Sequence, residues 1–492
     1  MRFFAALFLS ASIALAQTKS GAKAKPTAPP APTPFAKAPC DLVIEAGAVL
    51  TVDENFKVLR ESAIVISDGV IQTIGTVEDV KARFEPKQWI ERKGSIVLPG
   101  FVNTHGHAAM NLLRGIADDR PLMDWLTKYI FPAEAKNVSP EFVRAGTTLA
   151  CAEMVHGGTT TFTDMYYYES DVAAAVEACG MRAVLGETWL DMPAPGHKDL
   201  EESKAVTRAF LEKWKGHRRI TAAVAPHAPF TCSKETLLAA KALADEFKAP
   251  LLIHLSETKA EQEQIKAKTG TTPTKWLESI GFFGGRVLAA HGVWLDADDM
   301  KILAARKVAV AHNPESNMKL ASGIAPVVAM RAAGITVGLG TDGVAGSNND
   351  LNMMEAMDFA GKLAKVSTMD STALPARDLL RMATIEGAKA LGLDTWIGSL
   401  EAGKYADLIA IDLNEPPSRP VYDVISTLVY TAKADNVSLT VVGGKVLWDG
   451  YHRSYPTIDR DAVMKSAVEW RERISKSLAP APAPTPAEVK KP

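Results

Sequence analysis

The stretch "ITAAVAPHAPFTCSKETLLAAKALADEFKAPLLIHLSET", Ile220 to Thr258, sets two short apolar runs on either side of a helical pattern. The runs "ITAAVAP" and "PLLIHL" are continuously apolar, as a strand buried on both faces requires. Between them, "SKETLLAAKALADEFK" has the period of an amphipathic helix. Strand, helix and strand in this order predict parallel strands joined in β/α units. The unit recurs: after a first strand in "SIVLPGFVNTH" come "GTTTFTDM", "MRAVLGET", the two runs above, "RVLAAHG", "KVAVAHNP" and "ITVGLGTDG", eight candidate strands within 97–397. Eight units fit an α/β fold of the (β/α)8, TIM-like barrel type, with an open doubly wound sheet as the alternative. The position of the polar residues favours the barrel. Nearly every run closes on His, Asp or Glu at its carboxyl end, the face on which barrel active sites are built.

Outside the barrel the texture changes. From Cys40, "CDLVIEAGAVLTVDENFKVLRESAIVISDGVIQTIG" alternates apolar and polar residues between Asp/Gly turns, and "GSLEAGKYADLIAIDL" and "VSLTVVGGKVLWDG" do so again after Gly398. Segments 40–96 and 398–455 are expected to form one small β-sandwich built from both ends, with two independent β extensions as the alternative. A helix is expected over 456–478.

The 492 residues, 47% hydrophobic and 23% charged, allow a large core. A net charge of -2 without long Lys/Arg blocks leaves no electrostatic footprint for nucleic acid or an anionic membrane. The opening "MRFFAALFLSASIALAQ" has a basic residue, a short apolar run and Ala14-Leu15-Ala16, so 1–16 is expected to be a signal peptide cut after Ala16. The mature chain is then exported, periplasmic or secreted, and free of the membrane. Pro/Ala-rich stretches at 17–39 and 479–492 are expected to lie outside the folded unit as linker and tail. Cys40, Cys151, Cys179 and Cys232 have no C-x-x-C spacing and are expected to be buried thiols, although an exported chain would permit a disulfide. The composition leaves room for a homo-oligomer.

The chemistry gathers at the strand ends. In "LPGFVNTHGH", Leu98 to His107, the period of a strand puts His105 and His107 on one face. "LLIHLSET" adds His254 and Glu257, "VAPHAP" His227, "LAAHG" His291 and "GLGTDG" Asp342. Two imidazoles from the first strand, one from the fifth and a carboxylate from the eighth, His105, His107, His254 and Asp342, make a site for one divalent ion, Zn²⁺ foremost, with Fe²⁺ or Mn²⁺ as alternatives. His156, His197, His217 and His452 lack such company and are read as structural.

These residues carry a resemblance. The order H-x-H, His254, His291, Asp342, together with "LPGFVNTHGHAAMNLLRGIADDRPLMDWLTKYIFPAEAK", "HNPESNMKLASGIAPV" and "GTDGVAGSNNDLNMMEAM", resembles the amidohydrolase superfamily from about Cys40 to Gly450. Within it these motifs closely resemble the branch of 5-methylthioadenosine/S-adenosylhomocysteine deaminases, neighbours of the triazine chlorohydrolases and of cytosine and guanine deaminases. The resemblance implies a hydrolytic deaminase of adenine nucleosides, with hydroxide attacking C6 of the purine and ammonia leaving. The alternative is another hydrolase of the superfamily. One metal is implied, because two-metal members bridge their ions with a Lys from the fourth strand, which here ends "VAPHAP". Asp342 would take the proton of the attacking water, His291 would hydrogen-bond the attacking oxygen, and Glu257 would shuttle a proton to the ring and the leaving amine. Glu134, in "FPAEAK", matches the position that holds ribose hydroxyls, and His227 one that contacts the purine. Trp125 and Trp189 are candidate pocket walls, with core packing the stronger reading.

The match departs after the third strand, where members carry an Arg for the far end of the substrate. Here "VLGETWLDMPAPG" has Glu187 and Asp191 instead. A homocysteine carboxylate is expected to find like charge there, unless Arg114, Arg120 or Arg182 substitutes.

Overall fold

The computed structural model describes residues 37–478. The expected signal peptide, nearly all of the linker and the Pro/Ala tail lie outside these residues.

Eight parallel strands form the barrel: β5 (Phe101–Asn103), β6 (Thr159–Tyr166), β7 (Arg182–Trp189), β8 (Ile220–Pro226), β9 (Leu251–Leu255), β10 (Val287–His291), β11 (Ala309–His312) and β12 (Val337–Leu339). They neighbour one another in chain order. Every residue of β6, β7, β9 and β10 is buried, so β9 and β10 read as apolar up to their His, whereas β6 buries four threonines and an aspartate. The helix Lys234–Phe247 shows the sequence logic of the outer ring. Ser233 caps it by accepting from Thr236 N–H, and Leu237, Ala240, Leu243 and Ala244 form its buried stripe. Inside the barrel, small and medium side chains fill the axis, among them Val102, Val184, Ala223, Ala225, Leu252 and Ala311.

The seam between β5 and β12 is short and leans on side chains. Thr104 N–H and Thr104 Oγ1 both donate to Leu339 O, at 2.9 and 2.8 Å. Asn103 Nδ2 donates to Thr341 Oγ1 and Thr341 N–H donates to Asn103 Oδ1, at 2.8 and 3.1 Å. Gly338 lets the strands meet, since a Cβ there would stand 2.5 Å from Thr104 Cγ2.

The flanking segments join in one seven-stranded mixed sheet of β1 (Ala38–Leu50), β2 (Val58–Ser67), β3 (Val70–Thr76), β4 (Phe84–Pro99), β13 (Leu408–Asp412), β14 (Val437–Val442) and β15 (Lys445–Asp449). The expected composite β unit is therefore a single sheet that curls on itself. Its β3 edge returns to the segment before β13, with Ile71 N–H bonded to Lys404 O and Ala406 N–H to Gly69 O, both 2.9 Å. One cluster, including Ile44, Ile64, Val97, Leu408 and Val441, fills the fold.

Two boundaries differ from expectation. Ser95–Pro99 pairs with β13 and belongs to the small sheet, so the barrel's first strand starts at Phe101. That strand ends at Asn103, so His105 and His107 lie just past it. An apolar run reads alike whichever sheet receives it; only its pairing partner decides. The last helix, Arg460–Leu478, buries Trp470 and Ile474 and lays Trp470 edge-on against Phe142. No helix among the described residues is long and apolar enough to cross a membrane. The four cysteines are buried free thiols.

Candidate active site

The carboxyl ends of the barrel strands bring the expected residues together. Ligand-type atoms of His105, His107 and His254 lie within 4.8 Å of one another, and so do those of His105, His291 and Asp342. Asp342 Oδ1 is 3.5 Å from His105 Nε2 and 3.3 Å from His107 Nε2. The backbone bends sharply to achieve this. His291 and Asp342 adopt φ of 76° and 63°, a left-handed conformation that non-glycine residues seldom take and that gathers at functional sites.

The other ring nitrogens are fixed from behind. His107 Nδ1 donates to Met165 O at 2.7 Å and His254 Nδ1 to His227 O at 2.8 Å. In its neutral form each ring therefore turns an unprotonated Nε2 to the centre, the tautomer a metal ligand needs. His291 Nδ1 lies 2.9 Å from Asn317 Oδ1 and 3.3 Å from Asn313 Nδ2. The shorter contact is to an amide oxygen, so Nδ1 donates to Asn317 and the ring turns its Nε2 toward the centre. That nitrogen stands 3.9 Å from carboxylate oxygens of both Glu257 and Asp342. Asp342 accepts from Ser316 Oγ at 2.6 Å and from Gly343 N–H at 2.7 Å.

The donor set suits a divalent cation. His105 Nε2 is buried without a hydrogen-bond partner, a cost that a ligated ion removes. Burial pushes His105 down to about 4 and His254 well below its ordinary value. Burial also opposes a charge on His107, yet the hydrogen bond and charge of Asp342 push it up to about 9. Burial likewise opposes charge on Asp342, but His105 and His107 hold its carboxyl well below the usual range. Three imidazoles and a carboxylate around one point are the ligand types of a single Zn²⁺ or Fe²⁺ centre.

A cavity opens onto this cluster, mostly apolar with a few convergent polar groups, as small-molecule sites are. Glu134, His227 and Glu257 line it, with Met110, Leu122, Trp125, Phe131, Phe230 and Leu320 as apolar walls. Burial pushes Glu257 above the ordinary carboxyl range, with the His291 ring opposing. Glu134, on the helix Phe131–Asn137, accepts from Tyr166 Oη at 2.8 Å. Burial raises its carboxyl to about 7, against the Tyr166 bond. His227 Nδ1 lies 2.8 Å from Thr231 Oγ1. Trp125 is a wall, its Nε1 donating to Ala345 O at 2.7 Å, whereas Trp189 is core and donates to Thr207 Oγ1.

The charge expected after the third strand is absent from the cavity. Glu187 is 1% exposed and turned away, accepting from the backbone N–H groups of Tyr168 and Glu169. Asp191 accepts from Ser233 N–H and Thr236 Oγ1 at the start of the helix Lys234–Phe247. Both satisfy local backbone and helix-end donors, so neither repels a substrate. The proposed cations are also engaged elsewhere: Arg114 pairs with Glu153, Arg182 with Asp407, and Arg120 lies over Tyr129. No Lys or Arg stands among the described residues that line the cavity. Sequence reasoning assigned no role to Tyr166, Ser316, Asn317 or Thr231, which hold Glu134, Asp342, His291 and His227. The HNPESN segment was the available signal for two of them, since paired Asn and Ser beside a strand-end His are hydrogen-bonding residues out of place in a core.

A (β/α)8 barrel with clustered His and Asp at its carboxyl face defines a metal-dependent hydrolase class. The chain belongs to the amidohydrolase family, whose model matches residues 96–447. It is 44% identical over 438 residues to a 5-methylthioadenosine/S-adenosylhomocysteine deaminase of Thermodesulfovibrio yellowstonii, covering 88% of this chain and 99% of that one. It is 48% identical over 436 residues to a 5'-deoxyadenosine deaminase of Methanosarcina acetivorans, covering 88% and 98%. The crystal structure of an adenosine deaminase from Xanthomonas campestris with bound zinc superposes with a TM-score of 0.87 at 39% identity, covering 90% of this chain and all of that one.

Proposed function

We propose that the chain is a metal-dependent deaminase of adenine ribonucleosides whose 5′ group is small or apolar. One observation carries the reading: two buried carboxyls of separate environment, Glu257 beside His291 and Glu134 beside Tyr166, share the cavity of the His/Asp cluster. Three relatives named as deaminases of adenine nucleosides support it. His105, His107, His254 and Asp342 would hold one ion, zinc foremost, with His227 at the end of β8 and no Lys lining the cavity to bridge a second. When bound, the ion lowers the pKa of water so that hydroxide is available near neutral pH.

The chain's own groups then divide the proton work. Asp342 accepts the proton of the attacking water. His291 hydrogen-bonds the attacking oxygen through Nε2. Glu257, raised by burial, gives its proton to N1 of the purine, then takes the C6 hydroxyl proton as the carbonyl forms and passes it to the leaving amine, and the proton on Asp342 restores Glu257. The sum is adenosine plus water giving inosine plus ammonia. Glu134 accepts from ribose hydroxyls, and His227 contacts the purine.

The 5′ preference now rests on the apolar walls and the lack of a lining cation, with the carboxylate repulsion set aside. A homocysteine carboxylate would be desolvated without a partner. Export through 1–16 remains part of the proposal and is checked by sequencing the amino terminus of the mature protein. The functional test is metal analysis of the pure protein, then kcat/KM for adenosine, 5′-deoxyadenosine, 5′-methylthioadenosine, S-adenosylhomocysteine and guanine. About one equivalent of metal and ammonia release from the first three are expected. Activity confined to guanine rejects the adenine reading, and S-adenosylhomocysteine as best substrate rejects the 5′ preference.

A further inference from the structure

Behind the active site, three carboxylates meet. Glu315 on the helix Pro314–Lys319, Asp350, and Glu355 on the helix Met353–Thr368 each place an oxygen within 4.8 Å of the other two. Glu315 is 7% exposed, and neither of its oxygens has a hydrogen-bond partner among the described residues. Asp350 accepts from Asn352 N–H at 2.9 Å. The nearby guanidinium of Arg114 is spent on Glu153 and on Asn349 O. None of the three acids forms an ion pair among the described residues, so the cluster concentrates negative charge that the nearby Arg114, itself paired with Glu153, balances only in part.

We propose that Glu315, Asp350 and Glu355 hold a structural divalent cation of the calcium or magnesium class, separate from the active-site metal. The donors are all hard oxygens, which select Ca²⁺, Mg²⁺ or Mn²⁺ over zinc. Two side chains half-open to solvent leave room for the water ligands such ions keep. A buried carboxylate with two idle oxygens is costly unless it is ligated or protonated. Burial raises the Glu315 carboxyl well above its ordinary value, with Asp350 and Glu355 adding, so a cation and a proton compete for the same place.

The site has a consequence for the active centre. Glu315 immediately precedes Ser316, which donates to Asp342, and lies two residues before Asn317, which holds His291. An ion on Glu315 therefore ties the segment that orients both groups to the helix Met353–Thr368.

The test is equilibrium dialysis of the zinc-loaded full chain against calcium, magnesium or manganese chloride. One of the three is expected to bind at about one equivalent, with sub-millimolar to millimolar affinity. At saturation it should raise Tm by about 1–3 °C. Glu315→Gln and Asp350→Asn are each expected to weaken binding at least about tenfold, as loss of a charged ligand does. A His105→Ala/His107→Ala variant should bind the ion unchanged, which separates this site from the catalytic one. Asp350→Asn, at a partly exposed position, carries the comparison if Glu315→Gln does not fold. No uptake of any of the three ions at about 10 mM, above the range of weak protein sites, overturns the proposal. Uptake unaltered in both carboxyl variants does so too. Glu315 is then held protonated, and Glu315→Gln leaves Tm unchanged or raises it.

Discussion

Glu257 and Glu134 are both buried carboxyls in one cavity, and their neighbours give them different work. Glu257 faces the His291 imidazole at 3.9 Å and is proposed as the proton shuttle, so Glu257→Gln is expected to keep metal and fold while losing about 10²- to 10⁴-fold in kcat, the scale of a positioned acid/base. Near-normal turnover in that variant removes Glu257 from the proton path. In the proposed role Glu134 accepts from both ribose hydroxyls, which needs both oxygens free of a proton and so favours the charged form. Its carboxyl is raised to about 7, so it protonates as the pH falls below that value and the acceptor is lost. For adenosine, kcat/KM is expected to drop through about pH 7 on the acid side, read from about pH 5.5 to 8.5. Tyr166 donates to the charged form, so Tyr166→Phe raises the Glu134 pKa and moves this limb to higher pH. A limb that stays in place in Tyr166→Phe, or persists in Glu134→Gln, belongs to another group.

At the scale of elements, the barrel closes where its strands are shortest. β5 and β12 have three residues each and share the bonds of Thr104 and Asn103. Gly338→Ala places a Cβ 2.5 Å from Thr104 Cγ2 and 3.2 Å from the backbone Cα of Gly387. The expected cost is about 1–3 kcal/mol of stability, typical of overpacking, read as a lower denaturation midpoint at unchanged m. An unchanged midpoint shows that the seam yields freely. Most of the strands were legible because a strand buried on both faces tends to be apolar throughout; β6, with four buried threonines, was marked instead by its β-branched run and its Asp at the carboxyl end. The break at Gly100 was not, because Val97 and Leu98 suit either sheet; what assigned them to the small sheet was pairing with β13, more than 300 residues away. The same limit applied to Glu187. Its position at a strand end signalled a pocket residue, while two backbone N–H groups on the next loop claimed it.

For the whole molecule, the barrel and the small sheet are locked by a buried ion pair. Arg182 Nε donates to Asp407 Oδ2 at 2.7 Å and Nη2 to Oδ1 at 3.2 Å, with Gly443 N–H on the same carboxylate. Removing one partner strands the other charge, so Arg182→Ala or Asp407→Ala is expected to cost about 3–5 kcal/mol, and the double variant less than the sum. Additive losses in denaturant unfolding show that the pair is not coupled. The sequence by itself determined the barrel, the composite β unit and the set His105, His107, His254, His291, Asp342 and Glu257. Periodicity and residue type at strand ends are local properties, and a barrel delivers every carboxyl end to one face. The tertiary structure alone decided which carboxylates face the cavity. It directed Glu134 inward to Tyr166, took Glu187 and Asp191 out of the site, bound Arg182 to Asp407, and brought Glu315 against Asp350 and Glu355. Hydrogen-bond partners distant in sequence settle where a charged side chain points, because a buried charge goes wherever its donors are.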